Sequence, residues 1–362
     1  MLLICPLNLD MRWKYDMRFT KKVPDIQELS ERYALNTKQR EMRIIQIREI
    51  QSVLDGTDNR KLLVIGPCSA DHEGAVLEYM TRLAALRDQV RDCFLIIPRV
   101  YTSKPRTNSM GYKGLLHRPD SAALTDNLLE GLIATRRLHY RVISETGMYG
   151  ADEMLYPEVF FNYMDLVCYA VVGARSVEDQ QHRLVASGLD VPIGMKNPTS
   201  GDLKVMLNAI IAARHSSSLI FNGWITETDG NHYAHAILRG YEDTIGNTYP
   251  NYHYETLCRL YDMFHSYNID NESVIIDCNH SNSAKHYDEQ IRIAEEVLYN
   301  CVRNRTINHF VKGLMIESYL EDGQQMAGSG IFGKSITDPC LGWEKTQTLI
   351  LELAEIAAKG LN

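Results

Sequence analysis

No window of the 362-residue sequence approaches the ~20 consecutive apolar residues that a membrane-spanning helix needs, so a soluble protein is expected. The eight cysteines, at 5, 68, 93, 168, 258, 278, 301 and 340, include no Cys-x-x-Cys pair and lack the close spacing of a disulfide framework. A reducing, cytoplasmic setting follows as the expectation. Basic residues are not in excess: 38 Lys and Arg stand against 46 Asp and Glu, a net charge of −8, which argues against a general nucleic-acid binder. Any anion site is therefore local. Asn279-His280-Ser281 lacks the glycines of a nucleophile elbow, so serine-hydrolase chemistry is not supported. No low-complexity tract, internal repeat or Pro/Ser linker divides the chain, which favours one elaborated domain. The apolar opening Met1–Leu7 has no basic start and runs into Asp10-Met11-Arg12-Trp13-Lys14, so it reads as a ragged start rather than a signal peptide.

What is present is ordinary for a globular protein, with 45% hydrophobic and 23% charged residues, enough to bury a core. Residues 25–56 carry apolar residues at helical spacing and close at Asp55-Gly56, which predicts an N-terminal helical extension over residues 1–60. Beyond it a unit recurs: a short apolar run, a Gly, Pro or charged residue, then a longer amphipathic stretch. The runs are 62–65, 94–97, one within 141–155, 171–174, 192–195, 236–238, 274–277 and 313–316. Eight such runs separated by helices predict an α/β fold, a (β/α)₈ TIM barrel over 61–362. An open doubly wound sheet is the alternative, disfavoured because no Gly-rich fingerprint follows the first run. Polar residues around 217–231 break the rhythm and predict an inserted β-hairpin.

The polar residues fall in one place. Cys68, Arg99, Arg175, Lys196, Arg239, His280 and Glu317 each stand at or just past the C-terminal end of a predicted strand, the active-site face of such a barrel. Lys104 and Arg106 follow the second strand, so six cations converge on one mouth, and Arg forks match phosphate and carboxylate bidentately. Substrates carrying several negative charges are implied. The competing reading pairs each cation with a neighbouring carboxylate. Cys68, His280, Glu317 and Asp338 form a second set with S, N and O donors that suits a divalent transition metal, although a buried structural Cys or His is as compatible with composition alone. A metal beside a phosphate-binding mouth suggests Lewis-acid polarisation of a carbonyl. His182 and Arg183 are read as structural residues on a helix.

With Gly66-Pro67-Cys68-Ser69, Arg99-Val100-Tyr101, Lys104-Pro105-Arg106-Thr107, Gly173-Ala174-Arg175, Gly194-Met195-Lys196-Asn197, Leu238-Arg239-Gly240, Asp277-Cys278-Asn279-His280, Ile316-Glu317-Ser318 and Gly333-Lys334-Ser335-Ile336-Thr337-Asp338 in order, the chain resembles the class I 3-deoxy-D-arabino-heptulosonate 7-phosphate (DAHP) synthases. The likeness is to the branch typified by the feedback-regulated enterobacterial enzymes and runs from about residue 25 to the C-terminus. It implies condensation of phosphoenolpyruvate with erythrose 4-phosphate, the first step of the shikimate pathway and so of aromatic amino acid biosynthesis. It also implies a divalent metal (Mn²⁺, Fe²⁺, Co²⁺ or Zn²⁺) on Cys68, His280, Glu317 and Asp338. Arg99, Lys104, Arg175, Lys196 and Arg239 would cradle phosphoenolpyruvate, with Arg106, Thr107 and Asp338 on the sugar phosphate. Lys104 is the first candidate for proton transfer, a metal-bound or Glu153-positioned water the candidate for attack at C2, and His280 and Cys68 take part through the metal. A homodimer or homotetramer and an aromatic amino acid effector are implied, with no nucleic-acid or membrane partner.

The sequence departs from that family at three points. The 107–114 loop is one residue longer, Asp152-Glu153-Met154-Leu155 replaces a Gly-Glu-Phe-Leu-like run, and Asp190 replaces a small polar residue of the effector pocket. A carboxylate at 190 disfavours an effector carboxylate nearby. A 3-deoxy-octulosonate 8-phosphate synthase-like enzyme is the near rival, disfavoured by Lys104-Pro105-Arg106-Thr107. A non-catalytic effector-binding barrel is the other alternative, and no metal or cradle residue is missing to support it.

Overall fold

Strands buried on both faces read as continuous apolar runs rather than alternating ones, and eight segments of this chain are buried along their whole length. They are β1 (Lys61–Gly66), β2 (Phe94–Pro98), β3 (Gly150–Glu153), β4 (Val167–Val172), β5 (Ile193–Lys196), β6 (Ala234–Leu238), β7 (Val274–Asp277) and β8 (Val311–Glu317). In the computed structural model, which describes residues 20–108, 110–123 and 125–360, they form one parallel sheet in the order β2-β1-β8-β7-β6-β5-β4-β3. Leu62 of β1 stands opposite Gly313 of β8 on one side and Leu95 of β2 on the other. The sheet ends β2 and β3 meet through a parallel bridge between Arg99 and Ala151, and the Val100 N–H donates to the Ala151 carbonyl at 2.9 Å. That bridge closes the barrel.

The predicted N-terminal helix divides in two, α1 (Ile26–Arg32) and α2 (Thr37–Asp55). The break has a local cause. The Asn36 side chain accepts from the Gln39 N–H and the Gln39 side chain accepts from the Asn36 N–H, both at 2.9 Å, a reciprocal cap that starts a new helix. Gly56, at φ +76°, stops α2 where the sequence places its end. Ile47, Ile50, Val53 and Leu54 bury one face of α2, and Arg43 reaches the Val167 carbonyl at 2.8 Å and grips Asp190 at 2.8 and 3.0 Å. Asp190 is thus paired. The reading of Met1–Leu7 lies outside the described residues.

Helices α3 (Glu73–Val90) and α4 (Leu128–Thr146) follow β1 and β2. After β3 the rhythm fails, because only the single turn α5 (Pro157–Phe160) and a 3₁₀ turn at Met164–Leu166 precede β4. Then come α6 (Gln180–Ala186), α7 (Leu203–Arg214), α8 (Tyr254–Ser266), α9 (Glu289–Arg303), α10 (Arg305–Phe310) and α11 (Trp343–Gly360). The predicted hairpin pairs Ser217–Phe221 with Trp224–Thr228 between α7 and β6, turning on Asn222-Gly223. Both turn residues have positive φ, 49° and 79°, as a two-residue hairpin with right-handed strand twist requires. It ends at Thr228. Asn231, inside the predicted span, is buried instead and ties back to the Val191 carbonyl at 2.9 Å.

Candidate active site

The C-terminal ends of the strands open on a cavity of about 350 Å³. Arg99, Lys104, Arg106, Arg175, Lys196, Arg239 and Lys285 line it, with Thr107, Glu153, Glu242, His280, Thr337 and Asp338. All six cations read from the sequence therefore share one mouth. Lys285, Glu242, Thr199 and Thr337 are additions that strand-end reasoning missed, each standing three or more residues past the end of its barrel strand, Glu242 in the short strand Tyr241–Glu242. Cys68 and Glu317, both fully buried, sit beneath the lining.

The cations divide into two kinds. Arg99 donates from Nη2 to Glu317 Oε1 at 2.6 Å and its guanidinium lies 3.7 Å from the centre of the Tyr101 ring. Lys196 donates to Asp277 Oδ2 at 2.9 Å. The carboxylate-paired reading thus holds for these two. Among the described residues Lys104, Arg106, Arg175 and Arg239 have no ion-pair partner, and the buried Nη1 of Arg239 has no hydrogen-bond partner. A buried guanidinium N–H without an acceptor is costly, and an anionic oxygen satisfies it. Burial pulls the Arg239 guanidinium below its ordinary range; Asp277 and Glu242 oppose the shift and Arg175 adds to it. Lys104 goes the other way. Burial acts to lower its ammonium, but Cys68 and Glu317 outweigh burial and hold it above the usual lysine value.

Beside these cations, ligand atoms of Cys68, Glu317 and Asp338 lie within 4.8 Å of one another. The Cys68 sulfur is 3.7 Å from Asp338 Oδ2. Burial, with Glu317 adding to it, pushes the Cys68 thiol up to about 12. Burial acts to raise both carboxylates too, yet Arg99 and His280 at Glu317, and His280 and Lys104 at Asp338, hold them below the usual carboxylate range. A thiol pressed against two ionised carboxylates is a donor set that fits a divalent cation, whose charge offsets theirs and displaces the thiol proton. His280 stands outside this group of three. Its Nε2 is 3.8 Å from Glu317 Oε1, while Nδ1 is 2.9 Å from Asp277 Oδ2 but too misaligned for a hydrogen bond. The residue also sits at φ +54°, a conformation that surrounding structure has to impose on a non-glycine residue.

Glu317 is fixed from every side. Asn279 Nδ2 donates to its Oε2 at 2.6 Å, and the Gln290 amide on α9 takes its backbone N–H at 2.8 Å and donates to its carbonyl at 3.0 Å. Glu153 is shaped by a neighbour: a Cβ on Gly173 would lie 2.2 Å from its Oε1, so the Gly173-Ala174-Arg175 segment leaves just enough room for the carboxylate. His182 is structural, as the sequence suggests. Its Nδ1 meets Asp179 Oδ2 at 2.5 Å and its Nε2 the Leu155 carbonyl at 3.0 Å.

Comparison with known proteins shows the family. Residues 38–351 match the DAHP synthetase I family. The chain is similar to the Trp-sensitive phospho-2-dehydro-3-deoxyheptonate aldolase of Escherichia coli (strain K12), 38% identical over 315 residues that cover 85% of this chain and 87% of that protein. The Phe-sensitive protein of the same organism is 37% identical over 318 residues, 85% of this chain and 86% of its own. A solved structure of phospho-2-dehydro-3-deoxyheptonate aldolase from Francisella tularensis SCHU S4 superposes with a TM-score of 0.88 at 31% identity, over 95% of this chain and 99% of that one. The chain belongs to the DAHP synthetase I family.

Proposed function

We propose that this family member condenses phosphoenolpyruvate with D-erythrose 4-phosphate to give DAHP and inorganic phosphate, the first step of the shikimate pathway, with a divalent metal at Cys68, Glu317 and Asp338 and His280 beside them. The observation that carries it is the mouth itself: unpaired Lys104, Arg106, Arg175 and Arg239 around one cavity, next to a buried thiol and two carboxylates. Two phosphorylated substrates repel each other, and fixed cations around one cavity offset that repulsion as they are brought together.

The roles follow from placement. Arg175, Lys196 and Arg239 hold the phosphate and carboxylate of phosphoenolpyruvate, with Arg99 beneath them. Arg106 and Thr107, farther out along the loop after β2, hold the sugar phosphate, and Asp338 borders it. When bound, the metal supplies Lewis-acid polarisation of the aldehyde. Lys104 gives a proton to the aldehyde oxygen as C3 of phosphoenolpyruvate bonds to the aldehyde carbon. Glu153 orients the water that adds at C2, after which the C2–O bond to phosphate breaks and phosphate leaves.

A cytoplasmic location accords with the free thiols of all seven described cysteines, and no helix among the described residues is long and apolar enough to cross a membrane. A dimer or tetramer is the candidate assembly. For an aromatic amino acid effector, the candidate site is an apolar hollow of about 70 Å³ between Phe161, Val185, Leu189 and the hairpin residues Leu219 and Phe221, beside the Arg43–Asp190 pair.

The deciding assay follows phosphoenolpyruvate by its ultraviolet absorbance with Mn²⁺ and either erythrose 4-phosphate or arabinose 5-phosphate, wild type beside Cys68→Ala. Turnover with the four-carbon sugar alone, lost in the variant, is the expected result. Preference for the five-carbon sugar, or no turnover with either, overturns the assignment.

A further inference from the structure

A second buried carboxylate lies one residue before Glu153 and does not line the cavity. Asp152 in β3 is fully buried, and its oxygens are saturated with donors. Oδ1 accepts from the backbone N–H of Thr102 at 3.1 Å and of Glu153 at 2.7 Å. Oδ2 accepts from the Thr102 hydroxyl at 2.6 Å and lies 3.2 Å from His139 Nε2 on α4. The His139 ring stacks on Tyr163 at 5.3 Å between centroids. A carboxylate is retained at such depth only when its partners are all in place, and the partners here come from three parts of the chain.

What those partners join is the barrel seam. β2 and β3 are the two ends of the sheet, bridged by Arg99 and Ala151. Beyond that bridge Asp152 holds the segment leading to Lys104 through both donors of Thr102. The segment is cross-linked to the chain that follows it: the Lys104 N–H donates to the Lys113 carbonyl at 3.0 Å and the Leu116 N–H to the Thr102 carbonyl at 3.1 Å. Lys104 is two residues from one Asp152 anchor, and Glu153 carries the other. We propose that Asp152 is a positioning residue that sets the separation of Lys104 and Glu153 across the seam. This rests on the proton-transfer and water-orienting roles given to those two residues.

The test is steady-state kinetics of the Mn²⁺-loaded enzyme, with circular dichroism to confirm folding. Asp152→Ala lowers kcat by about tenfold, the scale of a modest misplacement of reacting groups. The KM for phosphoenolpyruvate stays within about twofold, because Arg175, Lys196 and Arg239 hang from other strands. The pH profile of kcat shifts with it. Asp152→Asn keeps most of kcat, since its amide oxygen still takes both backbone N–H groups and its NH₂ can donate to Thr102 Oγ1. A folded Asp152→Ala enzyme with wild-type kcat and pH profile, even one of lower Tm, overturns the proposal. Should Asp152→Ala not fold, Thr102→Val decides: a lowered kcat at unchanged KM supports it and a wild-type kcat overturns it. Lys104→Ala and Glu153→Gln separate the two levels. If they lower kcat and Asp152→Ala does not, positioning fails alone; if they leave kcat unchanged, the roles beneath it fail.

Discussion

Arg99 and Glu317 form an ion pair at 2.6 Å with both side chains almost wholly removed from solvent. In the proposed function each belongs to a different task, Arg99 to the anion-binding mouth and Glu317 to the group that would hold the metal. Their contact couples the two, and it is charge-assisted and sequestered from competing water.

Removing one partner leaves the other buried and uncompensated, which costs about 3–5 kcal/mol for a pair of this kind. Arg99→Met is therefore expected to lower the thermal midpoint markedly as well as abolish turnover. Arg99→Lys loses the stacking on Tyr101 and is expected to remain well below wild type. Differential scanning calorimetry beside the phosphoenolpyruvate assay checks both; wild-type stability in Arg99→Met would contradict the coupling.

Gly173→Ala places a methyl group 2.2 Å from Glu153 Oε1. Overpacking of this sort costs about 1–3 kcal/mol, and the carboxylate is the part that can move. Turnover is expected to fall by about tenfold or more while the protein remains folded. The measurement is kcat with circular dichroism on the same preparation, and an unchanged kcat would show that Glu153 has room to spare.

Metal removal has a readout independent of activity. A ligand that binds only the folded chain adds about 2.7 kcal/mol at one hundred times its dissociation constant. Mn²⁺ added after chelation and desalting is expected to raise Tm in the wild type and far less in Cys68→Ala. Equal rises in both would place the ion elsewhere.

A histidine inside the barrel sets a pH window. His235 Nδ1 donates to the Tyr233 carbonyl at 2.8 Å and Nε2 accepts from the Tyr169 hydroxyl at 2.6 Å, the pattern of a neutral ring. Burial pulls it down to about 4. The unfolded chain, with an ordinary histidine near 6.5, binds the proton first, so stability is full above 6.5 and falls as pH drops toward 4. The loss is on the order of 3 kcal/mol. His235→Gln is expected to flatten the dependence of Tm on pH between 6.5 and 4. An equally steep decline in the variant would assign it to other groups.

The sequence carried most of the frame because a buried parallel strand leaves a plain apolar run, and seven of the eight strands did so. β3 is the exception. Its four residues, Gly150-Ala151-Asp152-Glu153, are all buried yet half of them are acidic, so no hydrophobic pattern could locate it more closely than 141–155. The Asp152 carboxylate survives there beside Thr102 and His139, which lie 50 and 13 residues away. Periodicity does not see such pairings. The same limit applies to the mouth. Strand-end polarity gathered the six cations, but that Arg99 and Lys196 are paired and Arg239 is not depends on where Glu317 and Asp277 point. The split of the N-terminal helix was visible in principle in Asn36-x-x-Gln39, a capping pair within a stretch read only for its spacing.

The seam between β2 and β3 bears on the proposed chemistry as well as on the sheet. Strands β4 through β8 and β1 each have a partner on both sides, whereas β2 and β3 gain their second neighbour only when Arg99 reaches Ala151. On the roles proposed for Lys104 and Glu153, which stand just beyond β2 and at the end of β3, turnover therefore requires the sheet to be closed at this seam.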